Sequence, residues 1–372
     1  MFYGCNNLII APELPATTLV TGCYTYMFYN CKKINYIKAL FNTAPSSTYM
    51  NNWVNGVATT GTFVKSKTAT WTDTFGVSSI PSGWNVVKDG FIDNYLTITA
   101  LEDAVKVSFS NQVQISPDAI TWSSYAPDST ITLNAGQKAY YKSTLTPTTT
   151  GIGNFKINGM CNLSGNCNSL LFGDNASSNN DLTGYDYAFY ELFKGCTGII
   201  EVSDNFLPAT ILSTACYDAM FIDCTNLTKT PKLYATIMKP YCYANMFVRC
   251  KSLVNPSVFD ISQSITPAAW CCGYMFSECS GIISAKTPRF ISNPTISERA
   301  NCVNSMFNKC TSLNRLYIYM LDVSVYLPSC SRYWLSNVSS NGVIVSFFDL
   351  SDIERSDNGI PNGWKQTFMV TV

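Results

Sequence analysis

Histidine is absent from this chain of 372 residues, and charged residues are scarce. Without histidine, the Ser/His/Asp and Cys/His catalytic groups and all histidine metal sites are excluded. Only 13% of the residues are charged and the formal net charge is zero, which argues against electrostatic binding to nucleic acid. No run of about 18 apolar residues occurs, so no transmembrane helix is predicted. The first seven residues lack the basic start and apolar core of a signal peptide.

Cysteine is abundant, and it recurs within a repeated nonapeptide. Five complete copies follow the pattern Cys-x-x-x-Met-Phe-x-x-Cys, at 23–31, 216–224, 242–250, 271–279 and 302–310. Shorter copies occur at 1–5 and 192–196, and an aliphatic residue follows each closing cysteine after three places. The closing cysteines from Cys196 to Cys310 are separated by 28, 26, 29 and 31 residues, which is the period of a solenoid.

The spacing within the nonapeptide predicts a short helix. Cys242, Met246 and Cys250 stand at i, i+4 and i+8, which places them on one apolar face of a helix. The aliphatic residue after the cysteine begins a short extended run, which a proline soon ends. Each repeat is therefore predicted to be a strand, a turn and a helix, stabilised by stacking on its neighbours.

The sixteen cysteines follow this repeat and not the pattern of a small disulfide-linked scaffold. On a helix, two cysteines eight residues apart lie roughly 12 Å apart, beyond the roughly 7 Å limit for a disulfide. A ladder of buried thiols is the favoured interpretation. A zinc site is the alternative, but the spacing is too long for a zinc knuckle and no histidine is available. No metal or cofactor is therefore expected.

An array of repeats followed by a tryptophan-containing segment occurs twice. The first copy contains Trp53 and Ile80-Pro-Ser-Gly-Trp84, and the second contains Trp334 and Ile360-Pro-Asn-Gly-Trp364. The two copies are offset by about 280 residues, which indicates an internal duplication. We expect each segment to cap the open apolar end of its array, with the tryptophans buried there.

The stretch between the two copies has another rhythm. Short alternating strands with turn signals between them predict a small antiparallel β-sandwich, with Trp122 in its core. The predicted class is α+β, with two leucine-rich-type repeat solenoid segments that flank this sandwich. The predicted domains are a partial array at 1–35, its cap at 36–90, the sandwich at 91–160, a second array at 161–313 and its cap at 314–372.

The repeats resemble a known family. The Cys-Tyr-x-x-Met-Phe-x-x-Cys-x-x-Leu unit, with Leu207-Pro-Ala-Thr-Ile-Leu212 between units, is similar to the BspA-type leucine-rich repeats. The resemblance covers residues 1–35 and about 185–313. It implies a surface protein of gut bacteria or a virion protein of their phages, and it brings no catalytic residue with it.

Two repeats carry longer connections, at 257–270 and 289–301, which in a solenoid project on one face. They supply the candidate ligand contacts Phe259, Trp270, Arg289, Phe290 and Arg299. Simple tolerance of loop length is the alternative interpretation. The densest acidic cluster, at 349–354, is interpreted as a solvated turn in preference to a cation site.

These observations predict a non-enzymatic binding or adhesion module, on a cell surface or a virion, that recognises a protein or a glycan of a host or bacterial surface through the solenoid face. The alternative is a structural spacer or assembly subunit. A carboxylate-dependent carbohydrate-active enzyme is the weaker third hypothesis, because no pair of carboxylates stands out. The chain opens inside a repeat, so we expect a fragment, a processed product or an oligomer joined through that open repeat.

Overall fold

The computed structural model describes residues 1–66, 68–88, 94–290, 295, 300–320, 331–351, 355–356 and 359–368. The chain divides into two compact units, Met1–Asn94 (unit 1) and Tyr95–Val372 (unit 2). Each unit has a hydrophobic core of its own. Both are mostly β-structure and turns, and among the described residues the α-helices are two segments of four residues, Ser47–Met50 (α1) and Ser169–Phe172 (α2).

Unit 1 is built from stacked coils that pair through parallel strands. Its strands are β1 (Tyr36–Ala39), β2 (Thr62–Lys65) and β3 (Asn85–Lys88). Residue Tyr36 lies opposite Thr62, which belongs to the next coil, and Thr62 lies opposite Asn85 in the coil after that. Because each coil adds one strand in parallel register, the chain advances as the solenoid that the repeats predict.

Unit 2 begins with two sheets of mainly antiparallel strands. The strands are β4 (Leu96–Ala100), β5 (Val105–Phe109), β6 (Val113–Ser116), β7 (Ser123–Tyr125), β8 (Thr130–Leu133), β9 (Lys138–Lys142), β10 (Phe155–Asn158), β11 (Cys161–Ser164) and β12 (Ile199–Val202). One sheet has the order β10-β5-β8 and the other the order β12-β11-β4-β9-β6-β7. Side chains of the two sheets meet where the rings of Tyr141 and Phe155 lie 5.1 Å apart at right angles.

The larger sheet continues into the second array of coils. Strand β11 pairs antiparallel with β4 on one side and parallel with β12 on the other. The later coils add β13 (Ser284–Lys286), β14 (Arg315–Ile318), β15 (Gly342–Ser346) and β16 (Trp364–Phe368), all parallel. One contiguous core therefore runs from β4 to Trp364.

The predicted helix in each repeat is wrong, because the nonapeptides form ribbons of overlapping turns. In the 242–250 copy, the amide of Cys250 donates to the carbonyl of Phe247 three residues back, at 3.1 Å, and Arg249 is the third residue of that turn. Alternate amides donate to the next coil, as Phe247 does to Met275 at 2.9 Å. Every fourth residue has a left-handed φ: Tyr241 (58°), Asn245 (53°) and Arg249 (61°). A left-handed φ at the third position of a turn is typical of a type II turn, so the four-residue period is a property of the backbone.

A turn ribbon and a helix share a sequence pattern. Buried side chains come in pairs every four residues, as with Cys216, Tyr217, Met220 and Phe221. Over eight residues, side-chain directions in a four-residue period complete two full rotations, and in an α-helix they turn only about 80° further. Both structures therefore fit the spacing i, i+4, i+8. The ribbon differs from a helix because half of its amides bond to the neighbouring coil, which fixes the stacking through the backbone.

The phenylalanines of successive coils stack on one another inside unit 2. Their ring centroids are 5.0, 5.5, 5.6, 5.4 and 5.7 Å apart and no two adjacent planes differ by more than 8°. The members of this phenylalanine ladder are Phe155, Phe193, Phe221, Phe247, Phe276 and Phe307. Centroid separations of this size lie in the favourable range for aromatic pairs, so the ladder adds to the stability from burial.

The closing cysteines connect each coil to the preceding one. The Sγ of Cys250 donates to the carbonyl of Phe221 at 3.2 Å, and that of Cys279 donates to Phe247 at 2.9 Å. Thirteen of the fifteen described cysteines are buried, as predicted, and no disulfide joins any two of the fifteen. A small side chain with a weak donor fits a buried site that offers a carbonyl.

Tryptophans take the place of methionine in the coils that follow each array, because the amides of Phe28 and Phe307 donate to the carbonyls of Trp53 and Trp334 as that of Phe247 does to Met275. Trp53 and Trp334 are fully buried, and their Nε1 atoms donate to the carbonyls of Ser79 and Gly359 at 2.7 and 2.8 Å. Trp122, which the sequence places in a core, is in fact half-buried, with its ring 4.7 Å from that of Tyr95. The predicted burial of Trp53 and Trp334 is thus confirmed, whereas the predicted position of Trp122 in a core is wrong.

Candidate functional site

The outer face of the second array carries a row of aromatic side chains. Trp270 lies between Tyr241 of the preceding coil and Tyr274 of its own coil, with ring centroids 6.1 and 6.3 Å away. The planes of the two pairs differ by 7° and 3°. Tyr241 is 43% exposed and Tyr274 is 39% exposed, and Trp270 is half-buried. These three residues, the aromatic row, form a surface of nearly parallel rings.

The turn ribbon explains why these rings point outward. All three residues occupy left-handed positions, with φ of 58° at Tyr241, 58° at Trp270 and 56° at Tyr274. The cysteines and phenylalanines between them face the core. Gly273 lets the indole lie close to the backbone, because a Cβ there would stand 2.9 Å from Trp270 Cε3. The ring positions are therefore set by the backbone and not by a mobile loop.

Ion pairs between coils lie on the same outer face. The Arg249 guanidinium donates to both carboxylate oxygens of Asp223, at 2.5 and 2.8 Å, and Lys309 pairs with Glu278 at 3.1 Å. The hydrogen bonds from Arg249 hold the pKa of the Asp223 carboxyl below its usual range. Because these charges are paired, the face presents aromatic rings beside a neutralised strip.

The structure separates the five residues that the sequence proposes as contacts. Trp270 is in the aromatic row. The Nη1 of Arg289 donates to the carbonyl of Ser262 at 3.1 Å, so a hydrogen bond joins the two long connections. Phe259 and Phe290 are buried in the core, so these two proposals are wrong: their rings fill the space between coils. Arg299 lies outside the described residues.

Sequence reasoning missed Tyr241 and Tyr274, although a signal for them exists. Tyr241 directly precedes the core pair Cys-Tyr of its nonapeptide, and Tyr274 directly precedes the core pair Met-Phe of the next one. A helix would also expose these two positions. Only the left-handed turns bring them to the two sides of Trp270.

The described part of the chain contains no metal-ligand cluster and no membrane-spanning helix. There, no three histidine, cysteine, aspartate or glutamate side chains lie together as metal ligands, and no helix is long and apolar enough to cross a membrane. In the acidic turn at 349–354, Asp349 accepts a hydrogen bond from the Ser351 amide at 2.9 Å, and 352–354 lie outside the described residues.

Comparison with known proteins gives no relative: no protein family, no curated protein and no solved structure matches this chain.

Proposed function

We propose that the protein is a non-enzymatic binding module of a cell surface or virion, and that it recognises a protein or a glycan through the aromatic row. The observation that carries the proposal is the set of exposed, nearly parallel rings of Tyr241, Trp270 and Tyr274. Trp and Tyr are the residues most enriched at binding hot spots, and rigid rings lose little conformational entropy on binding.

The architecture suits this role. We interpret the coils as leucine-rich-type repeats, the tryptophan segments as their caps and residues 95–160 as a β-sandwich. The resemblance of the nonapeptides to BspA-type repeats supports a location on a bacterial surface or a virion. Stacked coils supply a rigid support, because each ribbon is hydrogen-bonded to the next along its length.

The test is binding of the full chain to a printed array of host and bacterial glycans and to intact gut bacteria. Trp270→Asn and Tyr274→Asn should weaken the binding at least tenfold, as expected when an aromatic anchor is removed. Tyr26→Asn is the matched control, since Tyr26 is 42% exposed and has a left-handed φ of 53° in unit 1. Asparagine tolerates this backbone conformation, so all three changes keep the turn. Equal losses in all three variants would contradict the proposal.

An assembly subunit is the second candidate function, and one observation favours it. The first coil of unit 1 exposes apolar side chains, with Met1 97%, Tyr3 62% and Ile10 60% exposed. Surfaces of this kind mark contacts between proteins. Light scattering separates the two functions: a fixed oligomer that binds neither glycans nor cells supports assembly, and a monomer that binds supports recognition.

A further inference from the structure

A cleft of about 650 Å³ lies in unit 2, remote in sequence from the aromatic row. Its volume is in the range of small-molecule sites, roughly 300–1,000 Å³. Three segments form its walls: the β5–β6 turn with β6, the end of β9 with the residues after it, and the end of α2 with the 3₁₀ helix Gly173–Ser178. The cleft thus joins the two-sheet part of unit 2 to the start of its coils.

The floor of the cleft is a row of polar side chains across three strands. Gln114 of β6 lies opposite Ser124 of β7 on one side and opposite Lys142 of β9 on the other. Directly opposed residues of antiparallel strands point to the same face of the sheet. Val113 and Ile115, the neighbours of Gln114, are buried, so this row faces away from the core and into the cleft.

An ion pair fixes one wall. The Lys142 ammonium donates to Asp174 Oδ1 at 2.8 Å, and the Tyr95 hydroxyl donates to the same oxygen at 2.7 Å. These hydrogen bonds hold the pKa of the Asp174 carboxyl below its usual range. The ammonium also lies 4.2 Å from the centroid of the Trp122 ring, which anchors the lysine. The wall is therefore rigid before any ligand arrives.

Most of the remaining lining groups can both donate and accept hydrogen bonds. They are the carboxamides of Asn111, Gln112, Gln114 and Asn175 and the hydroxyls of Ser124, Ser143 and Thr144. With the other described residues, the side chains of Gln112, Gln114, Ser124 and Asn175 form no hydrogen bond. Leu145 and Phe172 add a small apolar surface, and one lysine balances one aspartate.

We propose that this cleft binds a short neutral saccharide. Hydroxyl groups of a sugar donate and accept at adjacent carbons, which matches a lining of carboxamides and hydroxyls. The balanced charge disfavours an anion, and the small apolar surface disfavours a lipid or an aromatic metabolite. A peptide is also disfavoured. It would bind by adding a strand beside the edge strand β7, and β7 has only three residues.

The experiment is saturation-transfer-difference NMR on the full chain with neutral probes: cellobiose, maltotriose, lactose, mannobiose and diacetylchitobiose, each up to 20 mM. At least one probe should bind saturably. Gln114→Ala and Asp174→Asn should each weaken that binding roughly threefold to tenfold, the usual effect of one hydrogen bond to a neutral or charged group. Ser124→Trp should abolish it by filling the floor.

Asp128→Asn is the matched control, because Asp128 also pairs with a lysine, Lys156, at 3.2 Å, but on the other sheet. It should leave the affinity within twofold. Saturable binding by none of the probes, binding that Ser124→Trp does not change, or preference for sialyllactose over lactose would overturn the proposal. Trp270→Asn leaves the cleft intact. If this variant loses cell binding and the cleft variants do not, the loss concerns the aromatic row and not this site.

Discussion

At the scale of single residues, cysteine has a structural task in this protein. Except at Cys5, each closing thiol donates to a phenylalanine carbonyl of the preceding coil, as Cys310 does to Phe276 at 3.0 Å. That bond requires the protonated thiol, and the surroundings favour it: burial raises the pKa of the closing thiols of Cys196 and Cys279 to about 12. Oxidation or alkylation would remove the donor and add volume where coils are in contact.

We expect iodoacetamide at pH 8 to distinguish two classes of cysteine in the native protein. Cys5 and Cys23 are exposed and should react readily. The thiols of Cys196, Cys216 and Cys279 should react roughly a thousandfold more slowly, because a pKa of about 12 leaves very little thiolate at that pH. Peptide mass spectrometry assigns each modified cysteine, and a denatured sample is the control in which all of them should react. Rapid labelling of Cys279 in native protein would show that the coils open.

At the scale of one element, the turn ribbon depends on residues that accept a left-handed φ. Few of these are glycine: the copy at 271–279 has Tyr274 and Glu278 there, with φ of 56° and 63°. This conformation destabilises a non-glycine residue by about 1–2 kcal/mol. The hydrogen bonds between coils and the buried aromatic rings must offset that amount at every fourth residue.

Asn30 provides the test, because it is exposed and has a φ of 58°. Asn30→Gly should leave the free energy of unfolding unchanged or raise it slightly. Asn30→Val should lower it by about 1–2 kcal/mol, since a β-branched residue fits this conformation poorly. Urea denaturation measures both values.

Thr25→Val is the control for Asn30→Val, as Thr25 is exposed in the same ribbon and is not among the residues with a left-handed φ. It should change the free energy of unfolding by less than about 0.5 kcal/mol. Equal losses from the two valines would show that the ribbon does not depend on φ.

At the scale of the whole molecule, the chain contains two separate cores. Unit 1 and unit 2 each include a buried tryptophan whose indole donates to a carbonyl within the same unit, Trp53 to Ser79 and Trp334 to Gly359. Because each core is contiguous within its unit, each unit should unfold as a cooperative body.

Calorimetry should therefore show two unfolding transitions. Trp53→Phe should lower only the transition of unit 1, and Trp334→Phe only that of unit 2. Each loss should be about 1–3 kcal/mol, because the buried carbonyl loses its donor. The two variants serve as controls for each other. A single transition that both variants lower equally would mean that the units unfold together.

The repeats and the buried residues could be predicted from the sequence because they depend on spacing alone. The period of the cysteines predicts the coils, and the aliphatic residues Leu227, Leu253, Ile282 and Leu313 are buried. The conformation of the nonapeptide could not be predicted, because a four-residue period and a helical one coincide over nine residues. Hydrogen bonds between coils decide between them, and these depend on residues about 28 places away.

The sites were harder to predict than the fold. Phe259 and Trp270 stand in the same long connection, and sequence cannot tell that one ring fills the core and the other faces outward. The cleft was missed altogether, since Gln114, Lys142 and Asp174 come from three distant segments. Polar side chains of this kind look like ordinary surface residues until the sheet and the 3₁₀ helix bring them together.

The direction of the amides between coils gives each stack an electrical polarity. In the ribbon of 241–249, five amides donate to the following coil, from Tyr241, Tyr243, Asn245, Phe247 and Arg249. Peptide dipoles of about 3.5 D that point the same way add up, as they do along a helix, but here they add along the stacking direction. The edge that faces later coils should therefore attract anions, and the opposite edge cations, in a protein whose formal net charge is zero.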